Sequence, residues 1–466
     1  MDFRTETVKA LAASVRGGQR SAREVVGHAL ERIEALDGRV NAFVALDGEG
    51  AMARARSIDG ALARGEDPGP LAGVPIGVKD LEDAAGLPTT QGSAAFAGRG
   101  PAGEDSVMVA RLKAAGAVVV GKTNTPELGW QPETDNPLFG ATRNPWALGH
   151  SPGGSSGGSA AAVSAGMVPM ATGSDGGGSI RIPSALCGLS GLKPSLGRVP
   201  GGGPEPPGWH HLSTKGVLAR RMEDVVEGLW AVVGPDQSDL RSLPMPDAPW
   251  PGALGDAQVP MRVAWSPTLG YAPVDDEVLA VCQRAVGTIE ELGVEVEVVD
   301  TVFPEDPVHT WLTLTDAYSL RTLERWRGTE VWGRLDPGLV AQAERALRTT
   351  AVDLVRAEDQ CHLLNLRLVE LFHRARLLVT PTTAAAAPLS GQPGVINGTS
   401  DVSWVRFTYP FNLTRSPAAT VCAGVTSAGL PVGLQLVGPQ HADVVVIRAA
   451  AALEAALGFD TLAAIS

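Results

Sequence analysis

Apolar and polar positions over the first seventy residues repeat with the period of amphipathic helices. Ser21 and Glu24 are spaced as a capping box, the usual start of a helix. The apolar stripe that follows ends near Gly38, an apolar run over 40–46 comes next, and an alanine-rich segment ends near Gly65. The pattern predicts a helical collar over residues 1–70 that packs on a sheet.

From residue 71 the pattern changes to short apolar runs that alternate with amphipathic ones. An apolar run over 73–78 predicts a strand that delivers Lys79 and Asp80 at its carboxyl end. The next predicted elements are a helix over 106–115, a strand over 117–121 and a helix starting at Thr125-Pro126-Glu127. Repeated β–α alternation predicts an α/β fold with a mixed sheet.

The second half repeats the same alternation after a turn-rich crossing over 234–260. Strands are predicted over 262–265, 294–299, 377–380, 418–425 and 432–437. One helix is predicted over 222–233, before the crossing, and further helices over 275–292, 306–327 and 337–375 and from His441 onward. Three tryptophans in this half, Trp311, Trp326 and Trp332, fit a core or a pocket wall better than a stacking platform.

Composition and charge argue against a nucleic-acid-binding, metal-binding or membrane protein. The 466 residues are 44% hydrophobic and 19% charged, which is typical of a globular protein. A net charge of −13 argues against a phosphate-binding surface, so no direct nucleic-acid partner is predicted. The chain has no metal-ligand motif and no apolar run of membrane-spanning length. Four scattered cysteines and a polar N-terminus complete the prediction of a soluble, cytoplasmic protein without membrane association.

A stretch over 149–183 carries two glycine-flanked serine sites, Ser155–Ser156 and Ser179. Glycine clusters let the backbone approach a ligand closely and let amide groups converge on a developing anion. The sequence GGSSGGS is also typical of a flexible linker. A linker does not explain the second cluster, Gly176-Gly177-Gly178-Ser179, whose serine lies 24 positions after Ser155. The pattern favours Ser179 as a nucleophile.

Of three short catalytic motifs, two match this chain only in part and one is absent. Residues 153–157 contain G-x-S-x-G, but a proline-containing loop precedes them where a nucleophile elbow needs a strand. Ser190 and Lys193 match S-x-x-K without the accompanying S-D-N and K-T-G motifs. No phosphate-binding G-x-x-x-x-G-K-[ST] motif is present.

Long ordered motifs resemble the amidase signature family of serine hydrolases. They are LAGVPIGVKD, GKTNTPELG, NPLFGATRNPW, SPGGSSGGSAAAV, GSDGGGSIRIPSALCGLSGLKPS, STKGVLARRMED and GLPVGLQLVGP. The resemblance is densest over 71–200 and implies one amidase domain over 1–466, with a large mixed sheet between helices. In this division residues 1–70 are the collar, 71–200 the signature core, and 201–466 the remaining sheet and the pocket walls.

The resemblance also implies the roles of individual residues. The family's Ser–cis-Ser–Lys triad falls on Ser179, Ser155 and Lys79, with a cis peptide at Gly154–Ser155. The oxyanion donors fall on Gly176, Gly177, Gly178 and Ser179, and the acyl-pocket residues on Gly129 and Trp130. We interpret Asp175 and Arg181 as structural supports that position the nucleophile loop. Ser156 is the less favoured relay, and neither metal nor cofactor is implied. Around Thr414-Arg415-Ser416-Pro417 the chain departs from the small residues common in relatives.

The triad needs a neutral lysine. A serine hydroxyl is a poor nucleophile until a base accepts its proton, and a lysine serves only after its pKa falls from about 10.4 toward about 7–8. The expected reaction is hydrolysis of a small-molecule amide, with carbamate (urethane) or ester cleavage sharing the acyl chemistry, by a monomer or homodimer. Two alternatives remain: the glutaminase subunit of a tRNA-dependent amidotransferase, and a catalytically silent binding protein on the same fold.

Overall fold

The computed structural model describes residues 1–204 and 206–465, so one position of the proline- and glycine-rich loop after residue 199 and the last residue lie outside it. The helices are α1 Val8–Arg16, α2 Ala22–Val40, α3 Gly48–Ala63, α4 Val107–Ala114, α5 Gly157–Ser164, α6 Arg181–Leu186, α7 Met222–Trp230, α8 Trp250–Ala253, α9 Asp276–Glu291, α10 Val308–Leu323, α11 Pro337–Ala346, α12 Ala351–Phe372, α13 Pro410–Leu413 and α14 Asp443–Leu457. The strands are β1 Phe43–Leu46, β2 Pro75–Lys79, β3 Val118–Thr123, β4 Met170–Asp175, β5 Ser190–Lys193, β6 Thr214–Ala219, β7 Arg262–Trp265, β8 Glu295–Val298, β9 Leu378–Pro381, β10 Gly394–Ile396, β11 Thr399–Asp401, β12 Ala418–Val425 and β13 Pro431–Val437.

One mixed sheet organises the chain. Its eleven strands run in the order β1-β3-β2-β4-β6-β5-β12-β13-β9-β7-β8, and β10 and β11 form a separate hairpin. β2 pairs in parallel with both β3 and β4, whereas β4 pairs antiparallel with β6. This confirms the predicted α/β fold with a large mixed sheet.

Alternate residues of the strands face two hydrophobic clusters. Val118 and Val120 of β3 belong to one cluster, and Val119 belongs to the other. Such alternation follows from the two-residue period of a strand and places the sheet between two apolar layers. Helices supply both layers, so the central strands are buried on both faces.

Local sequence signals set several element boundaries. The capping box predicted at Ser21 is present, with the Ser21 hydroxyl accepting from the Glu24 amide and the Glu24 carboxylate accepting from the Ser21 amide. The helix ends where Asn41 adopts a left-handed conformation. The strands predicted at 262–265 and 418–425 coincide with β7 and β12.

Two predicted helices differ from the structure. Thr125-Pro126-Glu127 begins only a single 3₁₀ turn, because Leu128 has a φ of 53° and ends the helical path. The segment predicted as one helix over 337–375 is interrupted after residue 346, where Thr350 and Asp353 form a second capping box and start α12. In addition, β4, β5 and β6 were not predicted.

No helix within the described ranges combines the length and apolar character needed to cross a membrane. The four cysteines are all unpaired and buried.

Candidate active site

Two neighbouring parallel strands bring the predicted site residues to one edge of the sheet. β2 ends at Lys79, and β4 ends at Asp175, immediately before the glycine cluster and Ser179. The register pairs Ile76 with Met170 and Gly77 with Ala171, so the two carboxyl ends lie side by side. Ligands of α/β sheets bind at the carboxyl ends of strands, and this edge therefore holds the candidate active site.

Lys79 is fully buried and its amine contacts Ser155. The Nζ–Oγ distance between Lys79 and Ser155 is 2.8 Å, and the same Nζ lies 3.1 Å from the Ser174 Oγ. Burial lowers the pKa of Lys79 to about 7, although the negative charges of Asp175 and Glu82 oppose the shift. At neutral pH a substantial fraction of this lysine is therefore an uncharged amine, which can accept a proton.

Ser155 lies on a chain segment that contacts the Ser179 segment. The Gly154–Ser155 peptide is cis, as the resemblance implied. The Ser155 side chain is buried, and the neighbouring Ser156 amide donates to the Ser179 carbonyl at 3.3 Å. Lys79, Ser155 and the Ser179 segment are thereby brought together, and Ser179 itself is only half-buried.

A buried ion pair fixes the loop that carries Ser179. Asp175 and Arg181 are both inaccessible to solvent, and their closest nitrogen–oxygen distance is 2.8 Å. The Asp175 carboxylate also accepts from the amides of Gly178 and Ile180, at 2.8 and 3.2 Å. Burial alone raises the pKa of Asp175, but the charge and hydrogen bonds of Arg181 reverse this and hold the pKa well below its usual range.

Arg181 connects that loop to distant parts of the chain. Its guanidinium donates to the Thr408 carbonyl, the Gln435 amide oxygen and the Asn412 amide oxygen at 2.7–2.9 Å. All of the donor directions of a guanidinium are rigidly related, so these contacts fix the loop in orientation as well as position. Asp175 and Arg181 therefore both contact the loop that carries Ser179, and their supporting role stays a prediction.

The amide groups of the glycine cluster differ in whether they already donate a hydrogen bond within the protein. Trp311 Nε1 donates to the Gly176 carbonyl at 3.2 Å, and Thr408 Oγ1 donates to the Gly177 carbonyl at 2.5 Å. The Gly178 amide was predicted as an oxyanion donor, but in this structure it donates to Asp175 and is not free to bind an anion. Among the described residues, the amides of Gly176, Gly177 and Ser179 have no such acceptor.

Gly178 requires glycine for both conformation and space. Its φ is 134°, which side-chain-bearing residues rarely adopt. A Cβ there would lie 2.3 Å from Thr408 Oγ1. The turn that presents Ser179 is therefore incompatible with any larger residue at this position.

The two predicted acyl-pocket residues, Gly129 and Trp130, lie between Ser155 and α11 in their contacts. A Cβ at Gly129 would lie 3.2 Å from Ser155 Oγ, so this glycine borders the relay serine directly. The Trp130 ring contacts Gly338, where a Cβ would meet the ring at 2.2 Å. Through this contact Trp130 joins a small hydrophobic cluster formed by the ends of α10 and α11.

Several neighbours of the site were not identified from the sequence. Ser174 contacts the Lys79 amine, Thr172 Oγ1 accepts from the Lys79 amide at 2.9 Å, and the Asp80 carboxylate pairs with buried Lys122 at 3.1 Å. Ser174 belongs to the motif GSDGGGS, five positions before Ser179. This position in the motif is a sequence signal that could have identified it as a neighbour of the site.

Two half-buried tryptophans line the glycine cluster. A Cβ at Gly176 would meet the Trp209 ring at 2.5 Å, and one at Gly177 would meet the Trp311 ring at 2.7 Å. The two rings pack edge to face with centroids 5.8 Å apart. Trp311, predicted for a core or a pocket wall, therefore lies against the glycine cluster, whereas Trp209 carried no sequence signal.

Within the described residues, no group of three or more histidine, cysteine, aspartate or glutamate side chains is placed to hold a metal ion. The arrangement at the sheet edge is instead a buried amine, two serines and a set of backbone amides. Such a set can transfer a proton and stabilise an oxyanion, which are the requirements of acyl transfer.

Comparison with known proteins agrees with this chemistry. A family model described as Amidase matches residues 24–447. An acylamidase from Rhodococcus erythropolis is 38% identical over 460 residues, covering 96% of this chain and 94% of the relative. One subunit of the glutamyl-tRNA(Gln) amidotransferase from Salinispora arenicola is 36% identical over 492 residues, covering 98% of each.

A solved structure is also similar to this chain. A bacterial aryl acylamidase of the amidase signature family superposes with a TM-score of 0.90 at 30% identity, covering 97% of this chain and 96% of that one. This chain belongs to the amidase signature family of amide hydrolases.

Proposed function

We propose that Ser179 is the nucleophile, Ser155 the proton relay and Lys79 the general base of this amidase. The observation that carries the proposal is the buried Lys79–Ser155 contact of 2.8 Å, with a lysine pKa of about 7. A neutral amine beside a buried serine has no evident structural purpose, because a buried lysine destabilises the folded protein unless its charge is paired. Proton transfer between Ser155 and Lys79 explains why a buried amine lies at this position.

In the proposed cycle, the Ser179 oxygen attacks the amide carbonyl while its proton passes to Ser155 and the Ser155 proton passes to Lys79. The carbonyl oxygen becomes an oxyanion, and the protonated Lys79 returns the proton through Ser155 to the departing amine. Collapse of the tetrahedral intermediate breaks the carbon–nitrogen bond and leaves an ester on Ser179. Water, deprotonated by the same relay, then hydrolyses this ester and regenerates the serine.

The amides of Gly176, Gly177 and Ser179 are the proposed oxyanion donors. Two observations support this assignment. These N–H groups have no acceptor among the described residues, and the carbonyls of Gly176 and Gly177 are held by hydrogen bonds from Trp311 and Thr408. Gly178 contributes instead through its conformation and its bond to Asp175. Asp175 and Arg181 are positioning residues, since they contact the loop and not the reacting atoms.

The proposed substrates are small-molecule amides with an aromatic group. Trp209 and Trp311 form an apolar wall beside the proposed oxyanion hole, and aromatic rings pack well against such walls. An acylamidase and an aryl acylamidase among the similar proteins support the same class. We propose aryl carbamates (urethanes) and aryl esters as further substrates, since they share the acyl-enzyme step. Gly129 and Trp130 would border the acyl group.

A glutaminase role is the second candidate, because the amidotransferase relative matches this chain over 98% of both lengths. We favour the independent amidase, since α10 and α11 of this same chain contact the site, through Trp311 at Gly177 and Gly338 at Trp130. We also propose that residues 1–466 act as one domain, because strands from the collar, the signature core and the remainder all join the same sheet. Four unpaired buried cysteines support a cytoplasmic location.

A substrate panel with the purified chain alone tests the proposed function. We expect turnover of acyl anilides, slower turnover of aliphatic amides, measurable cleavage of aryl carbamates, and no glutamine hydrolysis. The aromatic preference is expected to be about tenfold or more in kcat/KM, the value of one well-packed apolar contact. Gly129→Ala should lower kcat/KM, because Gly129 has a left-handed φ of 72° and the added carbon would stand 2.8 Å from Leu81 Cδ1 and 3.2 Å from Ser155 Oγ.

The contradicting results for this panel are specific. Glutamine hydrolysis that requires a second protein chain, together with inactivity on every anilide, would establish the amidotransferase role. Complete inactivity on amides, carbamates and esters would favour the silent binding protein.

A further inference from the structure

Helix α12 is apolar on two opposite sides. One stripe, formed by Ala357, Cys361, Leu364, Leu368 and Leu371, is buried against the rest of the chain. A second set of aliphatic residues on the same helix is exposed: Val352, Val355, Leu363, Leu366 and Val369, with exposed fractions between 41% and 61%. A surface helix normally presents polar residues to solvent, so an apolar outer face indicates a contact with another surface.

The outer stripe has the spacing of a coiled-coil seam. Its positions are Val352, Val355, Asp359, His362, Leu366 and Val369, and successive members are separated by three, four, three, four and three residues. This alternation keeps a seam on one side of a helix along its whole length. All six residues are exposed in the isolated chain.

The order of residues along the seam is self-complementary for two antiparallel copies. A two-fold axis between residues 360 and 361 places Val352 opposite the partner's Val369, and Val355 opposite the partner's Leu366. It also places Asp359 opposite the partner's His362. Every apolar position thus meets an apolar one, and the central carboxylate meets an imidazole that can donate to it.

We propose that two copies of this chain associate through α12, packed antiparallel about this two-fold axis. The seam from Val352 to Val369 covers about five turns, or about 26 Å, of the 22-residue helix. The polar centre fixes the register. Sliding one helix by one turn places Asp359 opposite Asp359 or His362 opposite His362, and sliding it by seven residues leaves both facing aliphatic side chains. Other exposed aliphatic residues, such as Leu240, Met261 and Val402, form no comparable stripe.

The proposed contact is independent of the catalytic assignment. It uses the outer side of a helix whose inner side packs within the chain, and no seam residue belongs to the proposed triad or oxyanion hole. A failure of the dimer proposal and a failure of the proposed function are therefore distinguishable, since oligomeric state and turnover are measured separately.

Sedimentation equilibrium of the whole chain tests the association. We expect the unmodified protein to have the mass of two chains, and Val355→Glu with Leu366→Glu to have the mass of one, because four carboxylates would then face each other in the seam. The control is Leu240→Glu with Val402→Glu, which adds the same charge at exposed aliphatic positions elsewhere. This control should remain dimeric, and circular dichroism and anilide turnover should match the unmodified protein in both variants.

An exchange of the two central residues tests the register. Asp359→His and His362→Asp each place like side chains opposite each other, and each should raise the dimer dissociation constant about tenfold or more. The double variant restores an aspartate–histidine pair and should recover most of the affinity. A single-chain mass for the unmodified protein at about 100 µM, a dimer that persists in the Val355→Glu, Leu366→Glu variant, or single substitutions without effect would overturn the proposal.

Discussion

Ser179→Ala is expected to lower kcat/KM for an acyl anilide by at least about 10³-fold, and up to about 10⁶-fold, the range seen when a serine hydrolase loses its nucleophile. Alanine removes the attacking oxygen but leaves the loop intact, because the Asp175 contacts to Gly178, Ile180 and Arg181 do not involve the Ser179 side chain. Substrate binding should change little. A stopped assay over long times, with thermal unfolding as a check on folding, measures the effect.

Ser156→Ala is the matched control for this variant. Ser156 is a buried serine of the same region, and its hydroxyl donates to the Ser174 carbonyl and accepts from the Ser174 amide, both at 3.4 Å. We expect it to retain turnover within about tenfold, since it holds no proton of the proposed relay. Equal losses in the two variants, or normal turnover by Ser179→Ala, would reject Ser179 as the nucleophile.

Lys79→Met is expected to cause a comparable loss with amides and a smaller one with esters. Methionine keeps the length of the side chain in a buried site but supplies no base, so the relay through Ser155 has no proton acceptor. An ester leaving group needs less protonation than an amine, so its cleavage depends less on the return of that proton. The measurement is kcat/KM for an anilide and for an ester with the same acyl group.

The pH dependence gives a second readout of Lys79. A base acts in its unprotonated form, so kcat/KM for an anilide should rise with pH through about 7 and become constant above it, where Lys79 is neutral. The residual activity of Lys79→Met should lack this rise. An unmodified enzyme whose kcat/KM is constant from about pH 5.5 to about pH 8.5, or a Lys79→Met variant that keeps the same inflection, would contradict the role of this lysine.

Local sequence signals predicted the elements that depend on local interactions. The Ser21 capping box, the strand that ends at Lys79 and the strand at 418–425 each follow from neighbouring residues, and each is present. The helix predicted at Thr125 is wrong because the left-handed Leu128 ends it after one turn, and the sequence pattern of a cap and a proline does not encode that conformation.

The long-range part of the site could not be derived from local pattern. Arg181 binds Thr408, Asn412 and Gln435, which are more than two hundred positions away, and nothing near Arg181 in the sequence specifies them. The same holds for Trp209, whose ring reaches Gly176 only through the folded loop. Lys79 and Ser155 are 76 positions apart, so local pattern does not predict their contact. Only the family resemblance predicts it.

The central claim is that acyl transfer proceeds through an ester on Ser179. Its most direct test is mass spectrometry of the enzyme quenched with acid during turnover of a slowly hydrolysed aryl carbamate or ester, followed by peptide mapping. The account predicts an added acyl mass on the peptide that contains Ser179, absent in Ser179→Ala and present in Ser156→Ala. An acyl group on Ser155, or turnover of the same substrate with no covalent adduct on any serine, would contradict it.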